Sequence, residues 1–321
     1  MIMSSTPDDL GELFDRPGLS LERLRSLVRV YDAGGIAAAT DSPSEQSQLS
    51  RQLGELAQYL GLPVTRRQGR NVRLTEEGAE LARLAREFLR SVAGLRHRAS
   101  PDAPLGLTVA AGDSVLSGLV VPAIARVLAA LPRLVPTLEA VPAENPYELL
   151  VSARAHAVIA RERPRRREHE AQAIGEWDCR LYAPRALVPR GASAREVLRA
   201  VPLALQVSEV GFERKVLHAA AAHGLALRPA LRCETFAQAR AAVAVGYAAV
   251  LPVLLGATLG RDAVEVPTEG GEIGAHVATL WLAHDKRLPA QLPRTHQALV
   301  ALASQMRHLT AEAARAGGAR R

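Results

Sequence analysis

Only two cysteines, Cys179 and Cys233, occur in 321 residues. That is too few for a disulfide scaffold, and no CxxC or paired Cys/His spacing offers a zinc site. A reducing cytoplasm fits this usage, and neither a metal nor a cofactor is expected. GxSxG, P-loop and HExxH patterns are absent and the nine histidines are scattered; His218 and His223, five apart, do not share one helical face. Both cysteines fall in apolar, strand-like stretches, where a thiol serves as a small hydrophobe and not as a nucleophile. No catalytic residue is therefore expected. Lysine is nearly missing, Lys215 and Lys286 alone, so the basic charge is carried by arginine. The segment Met1 to Leu19 is polar and acidic and does not read as a secretory signal. One long uncharged run, Ala241 to Gly260, has the length of a membrane span. Gly246, Pro252 and Gly256 interrupt it, and Tyr247 to Pro252 reads as a buried strand entering a turn. A soluble chain with no membrane partner is expected.

The composition present is that of a globular protein. Hydrophobic residues at 48% and charged residues at 23% exclude a mostly disordered chain. At roughly 100–200 residues per domain, the length suits two domains and a connector. Lys and Arg number 40 against 33 acids, a surplus of +7 that suggests a polyanionic partner. Its placement is uneven. Residues 1–98 hold fourteen arginines and thirteen acids, while Arg161 to Arg167 alone carries +4. Between Pro43 and Arg73, five arginines face only Glu45 and Glu55.

The pattern changes near Ser100-Pro-Asp-Ala-Pro104. Before it, apolar residues recur at helical spacing. Leu21, Leu24, Val28 and Tyr31 form a first stripe ended by Ala33-Gly34-Gly35, and Ile36 to Thr40 makes a short second helix. Ser42 is an N-cap with Pro43 at the first helical position, and Glu45 is spaced to complete a capping box. That third helix carries Leu49, Leu53, Leu56 and Leu60 on one face and stops at Gly61. Val64 to Arg66 and Asn71 to Leu74 flank a cationic hairpin tip. Three helices followed by a basic hairpin are the order of a winged helix-turn-helix. Thr75, Glu76 and Glu77 then open a long helix. Along it Leu74, Gly78, Leu81, Ala85, Phe88, Val92 and Leu95 form a heptad seam that can pair two chains; packing on its own domain is the other reading.

From Leu105 onward, strand-like and helix-like segments alternate, which predicts a mostly parallel sheet with ligands at the C-terminal strand ends. The expected organisation is an arm over 1–17, a winged helix-turn-helix over 18–75, a linker helix over 76–98 and a hinge over 99–104. An effector-binding domain follows over 105–309, with lobe I at 105–163 and 268–309, lobe II at 164–267, and a disordered tail over 310–321. The fold class is thus a two-part α+β chain.

Residues 19 to 97 resemble the DNA-binding domain and linker helix of LysR-type transcriptional regulators. The resemblance lies in Ala33-Gly34-Gly35-Ile36, Ala38-Ala39, Gln46, Leu49-Ser50-Arg51-Gln52-Leu53, Leu56, Leu60-Gly61, Arg66, Gly69-Arg70 and Leu74-Thr75-x-x-Gly78. It implies a two-lobed, periplasmic-binding-protein-like effector domain, which residues 104 to 309 match in length and alternation more than in residues. Three departures stand out. Glu45-Gln46-Ser47 replaces the family's Ser-Gln-Pro. His156 stands where the family usually has Asp before an apolar strand. A single Gly246 replaces a Gly-x-Gly.

For double-stranded DNA, Arg66, Arg67 and Arg70 are phosphate or minor-groove contacts, and Arg51 lies on the recognition helix. Gln46 suits adenine, and Ser47 and Ser50 suit base edges or phosphate. For a small-molecule effector, the polar residues at strand ends and helix starts are Asp113, Ser114, Glu144, Asn145, Ser208, Glu234 and Thr235; capping is the alternative role for Ser114 and Thr235. Leu81, Ala85, Phe88, Val92 and Leu95 are the seam of a homodimer or tetramer. The arginine run Arg161 to Arg167 is expected to be a solvated inter-lobe loop. The leading reading is a sequence-specific regulator of transcription. The alternative is an α/β binding module whose winged helix binds DNA non-specifically or mediates protein contacts.

Overall fold

The computed structural model describes residues 18–69, 71–99, 103–141, 145–207, 211–268, 272–274 and 276–318. The expected arm, Arg70, Glu144 and Ser208 lie outside them. The chain packs as two compact units, the first made of the residues up to 101 together with Val151–Ala153 and the second of the rest.

The first unit runs α1 (Leu21–Ala33), α2 (Ile36–Ala39), α3 (Pro43–Leu60), β1 (Thr65–Gln68), β2 (Asn71–Leu74) and α4 (Glu76–Ala99). Ser20 caps α1 by accepting from the Arg23 N–H, and Gly34 ends it at φ 77°, the left-handed region glycine tolerates. The inner face of α1 is Leu24, Leu27 and Val30, with Leu21 left 52% exposed. Spacing by threes at Leu24, Leu27 and Val30 decides this, so the expected stripe through Leu21 is displaced around the helix. Leu27, Leu53, Leu56, Val64 and Ala82 are fully buried together.

The capping box expected at the start of α3 does not form. Ser42 makes no side-chain cap bond and its hydroxyl pairs with that of Ser44 at 2.9 Å. Glu45 instead takes the Arg29 guanidinium at 2.9 Å. An ionised donor is the stronger partner for a carboxylate than a neutral backbone N–H.

The start of α4 is held by Thr75, whose Oγ1 accepts from the Gly78 N–H at 2.9 Å and donates to the Pro63 carbonyl at 2.8 Å. A Cβ on Gly78 would lie 2.1 Å from the Val64 carbonyl oxygen, so only glycine lets the two backbones meet. The seam divides accordingly. Gly78, Ala82 and Ala85 are buried in the unit's own core, with Leu81 packed at its edge. Leu84 at 55%, Phe88 at 51%, Val92 at 38% and Leu95 at 57% exposure form a separate outward face.

The second unit contains two five-stranded sheets. Strands β3 (Leu105–Ala111), β4 (Leu134–Ala140), β5 (Ala157–Ala160), β6 (His169–Trp177) and β12 (Ala278–Asp285) lie in the order β4-β3-β5-β12-β6. Strands β7 (Cys179–Pro184), β8 (Leu203–Gln206), β9 (Leu231–Cys233), β10 (Ala248–Pro252) and β11 (Ala263–Val266) lie in the order β11-β7-β10-β8-β9. The sheets are mixed and not mostly parallel: β3 runs parallel to β4 and β5, and β8 to β9 and β10, while β12 is antiparallel to β5 and β6, and β7 to β10 and β11. Strand β6 pairs with β12 in the first sheet, so the crossover falls at Asp178 and the expected start of lobe II at 164 is too early. His169 to Trp177 lies at a sheet edge and mixes polar with apolar residues, so it offers no continuous apolar run to find.

Asp113–Val115, a π-helical turn at Leu116–Val120 and α5 (Val121–Ala130) form one continuous helical stretch. By length and composition it could cross a membrane, yet 44% of it is buried within the second unit, where α5 packs against α6 (Pro293–Gly318). Ala241 to Gly260 divides into the end of a helix, strand β10 and the short helix Val253–Gly256. The expected tail is mostly ordered. Helix α6 continues to Gly318 because Thr310 is buried, its Oγ1 donating to the Ile174 carbonyl at 2.9 Å, and Glu312 pairs with Arg126 at 3.1 Å.

Candidate functional site

Helix α3 is positioned by a polar network on its inner side. Gln52, buried, accepts from the Ser26 hydroxyl at 2.6 Å and donates to the Glu22 carboxylate at 2.9 Å. Glu55 receives Arg23, which also donates to the Gly18 carbonyl. Buried polar groups satisfied in this way hold one orientation of α3 against α1. Gln52 falls within the stretch that carries the family resemblance, but hydropathy alone gives no sign that it is buried.

The outer side of α3 is what the sequence suggested, with one change. Ser47, Ser50 and Arg51 are exposed, and Arg51 has no ion-pair partner among the described residues. Ser47 donates to the Pro43 carbonyl at 2.9 Å, leaving its oxygen outward as an acceptor. Gln46, however, is half-buried and its amide donates to the Thr40 carbonyl at 2.8 Å, closing the turn that precedes the helix. That donor would have to leave Thr40 to make a bidentate contact to adenine. Glu45 is held below its ordinary value by the Thr40 hydroxyl and by Arg29. It stays ionised with its charge met by arginine.

In the hairpin, Thr65 to Gln68 pair with Asn71 to Leu74, setting Arg66 directly opposite Arg73 and Arg67 opposite Val72. Side chains alternate across a strand, so Arg66 and Arg73 share one face and Arg67 lies on the other. All three are exposed. Two guanidiniums side by side on a ribbon repel, and an anion placed between them removes the repulsion. Arg73 was counted in the local arginine surplus but not among the expected DNA contacts; its register opposite Arg66 adds it to the candidates.

In the second unit, Asp113 is exposed and Ser114 half-buried, and Ser114 does not cap, because Gly112 occupies that position. The turn Asp113–Val115 contacts the helix Phe236–Ala244, whose N-cap is Thr235. The Thr235 hydroxyl accepts from Gln238 N–H at 3.2 Å and the Gln238 side chain returns to the backbone of Thr235 and Glu234, a complete capping box. Capping is therefore what Thr235 does. Glu234 is exposed, its carbonyl accepting from the buried Gln206 at 3.2 Å, and Asn145 is exposed on the segment after β4. His156 accepts the Thr108 N–H on Nδ1 at 2.9 Å, an imidazole nitrogen acting as acceptor in the connection into β5.

Sequence reasoning missed an aromatic cluster at the same strand ends. Trp177, Phe212 and Phe236 are buried and meet edge to face, with centroids 5.1 to 6.5 Å apart. His276 lies 4.9 Å from Phe212, its Nε2 at 2.6 Å from the Ile273 carbonyl, and burial pushes its pKa down. Phe212 and Phe236 each open a helix, close after the polar positions expected to bind a ligand. A cavity of about 390 Å³ lies nearby between α6 and the starts of lobe II, lined by Ile174, Trp177, Arg180, Pro252, Leu254 and Ala311 among others. Among the described residues, none of those expected to bind an effector lines it.

The family model described as the LysR substrate binding domain matches residues 106–305, and that of the bacterial regulatory helix-turn-helix protein, lysR family, matches residues 21–79. Among solved structures, a full-length point variant of OxyR from Pseudomonas aeruginosa is similar at 20% identity and a TM-score of 0.62, covering 91% of this chain and 96% of that one. ArgP from Mycobacterium tuberculosis is similar at 19% and 0.60, covering 90% and 97%. CbnR in complex with its target DNA is similar at 21% and 0.56, covering 91% and 100%. The fold and these matches define a transcription regulator with a helix-turn-helix and a two-lobed α/β effector-binding domain. The chain belongs to the LysR family.

Proposed function

We propose that this regulator reads a specific duplex site through the outer side of α3 and grips its backbone with the hairpin. One arrangement carries the reading: exposed Ser47, Ser50 and Arg51 on a helix fixed by Gln52, followed by the facing pair Arg66 and Arg73. Phosphate contacts from the hairpin position the unit and contacts from α3 specify the site. Arg67, on the opposite face, is a secondary contact. The solved relative bound to its target DNA supports this orientation of function.

The two-lobed unit takes a small molecule near Asp113, Ser114 and Glu234, with the aromatic cluster as its apolar floor. A relative, LysG from Corynebacterium glutamicum, is solved with bound effector Arg. The outward face Leu84, Phe88, Val92 and Leu95 of α4 pairs chains into a homo-oligomer. We place the protein in the cytoplasm with DNA, acting without catalysis.

Replacing Arg51 with Ala should weaken binding to the selected site about ten- to a hundredfold in a mobility-shift titration, the value of one good base or phosphate contact. The double variant Arg66→Ala, Arg73→Ala should weaken specific and non-specific duplexes alike and flatten the salt dependence. Unchanged affinity in both variants would refute the assignment.

A further inference from the structure

The arginine run between β5 and β6 sets three consecutive arginines on one exposed loop, in contrast to five arginines of the second unit that carry ion pairs. Arg126, Arg154, Arg180, Arg232 and Arg287 are each paired with a carboxylate. Arg165, Arg166 and Arg167 are exposed and form no ion pair among the described residues. The loop that carries them is nevertheless pinned. Arg161 lies over the Trp177 ring at 4.9 Å and Arg163 over the Trp281 ring at 5.2 Å, which uses both tryptophans of the chain. The Tyr147 hydroxyl donates to the Glu162 carbonyl, the His169 N–H to the Arg166 carbonyl at 3.3 Å, and the Lys286 N–H to the Glu168 carbonyl at 2.9 Å.

Three consecutive arginines extend from a stretch of tethered backbone no longer than about one Debye length of 8 Å. Their repulsion is not met by acids, since Glu162 and Glu168 flank the run without pairing to it among the described residues. A protein partner would be anchored by buried aromatic or aliphatic side chains. This loop offers none, because both tryptophan faces are covered by its own arginines. The remaining chemistry is a row of charge, which suits a ligand recognised by charge alone.

We propose that Arg165 to Arg167 form a second, sequence-independent contact to the phosphate backbone of duplex DNA. This rests on DNA being the partner of the chain, but not on how α3 reads its site. Duplex DNA carries one negative charge per about 1.7 Å of axis, and each phosphate neutralised releases counterions that steepen the salt dependence.

The test uses the full chain on two duplexes, one of 20 base pairs bearing the selected site and one of 60 base pairs with the same site centred. On the long duplex, the triple variant R165A/R166A/R167A should reduce the slope of log affinity against log salt by about 2 to 3, at roughly 0.9 per phosphate lost. Its hydroxyl-radical footprint should shorten at the flanks, and R165K/R166K/R167K should restore both. On the short duplex all three proteins should bind alike. A wild-type slope and footprint for the alanine variant on the long duplex would overturn the proposal, as would an equal loss on the short one. If Arg51→Ala leaves short-duplex affinity unchanged, the winged-helix reading fails while the long-duplex comparison still decides this one.

Discussion

At the scale of single residues, glycine and glutamine do work in this chain that hydropathy conceals. Gly78 lies where α4 passes over the backbone of Val64, and a methyl group there would sit 2.1 Å from a carbonyl oxygen. The obstacle is backbone and not a flexible side chain, so α4 must shift to admit it. Gly78→Ala should destabilise the first unit by about 1–3 kcal/mol, the usual cost of overpacking, seen as a lower urea midpoint for that unit while the second unit is unchanged. Gln52 shows the complementary case, a buried amide with both ends bonded, whose burial follows from partners 26 and 30 residues away. Arg51 and Ser50 were legible in the sequence because they lie on the polar side of a helix with a strong leucine face. Gln46 was only half legible, since its bond to Thr40 depends on how the turn before α3 closes. Likewise the capping box at Ser42 fits the local residues but loses to Arg29, which α1 brings in from 16 positions earlier.

At the scale of elements, α4 is the informative one. Its expected seam is divided by the fold: Gly78 and Ala85, joined by Ala82, face its own unit, and Phe88, Val92 and Leu95, joined by Leu84, face outward. The small residues lie inside because α1 and the backbone of Val64 approach closely there. The large residues lie beyond the reach of the unit. Phe88→Glu with Leu95→Glu should therefore lower the oligomeric state, read by sedimentation equilibrium, without shifting the melting of the first unit. A fully retained oligomer in that variant would remove α4 as the pairing element. Strand β6 is the opposite case, a long element without a continuous apolar run, whose hydrogen bonds are supplied by β12.

At the scale of the whole molecule, charge and histidine titration govern behaviour across pH. His169, His276 and His296 all have pKa values lowered from 6.5, each chiefly by burial, and His296 also by the neighbouring His284. A histidine whose folded pKa lies below its unfolded value binds more protons when unfolded, so its contribution is fully present above 6.5 and is lost as pH falls below it. The second unit, which holds all three, should melt at a lower temperature at pH 5.5 than at pH 7.5. Replacing His276 with Phe should weaken that dependence in scanning calorimetry; the same pH dependence in the variant would exclude His276 as a contributor. The net surplus of +7 also changes meaning at this scale. Five arginines of the second unit are met by carboxylates in space, whereas Arg165 to Arg167 set three exposed arginines in a row with no ion pair among the described residues.

The sequence by itself determined the helix order, the cationic hairpin, the start of α4 and the two-part division near Pro101. Each of those rests on neighbours within a few positions, such as caps, glycine stops and apolar spacing, so local chemistry is sufficient. Tertiary structure alone decided which way β6, β7 and β12 run, where lobe II begins, and which side of α4 is left open. It alone placed Arg73 opposite Arg66 and put aromatic rings at the strand ends where polar ligand groups were expected. Those outcomes depend on hydrogen bonds and packing between residues tens to more than a hundred positions apart, whose pairing no local pattern records.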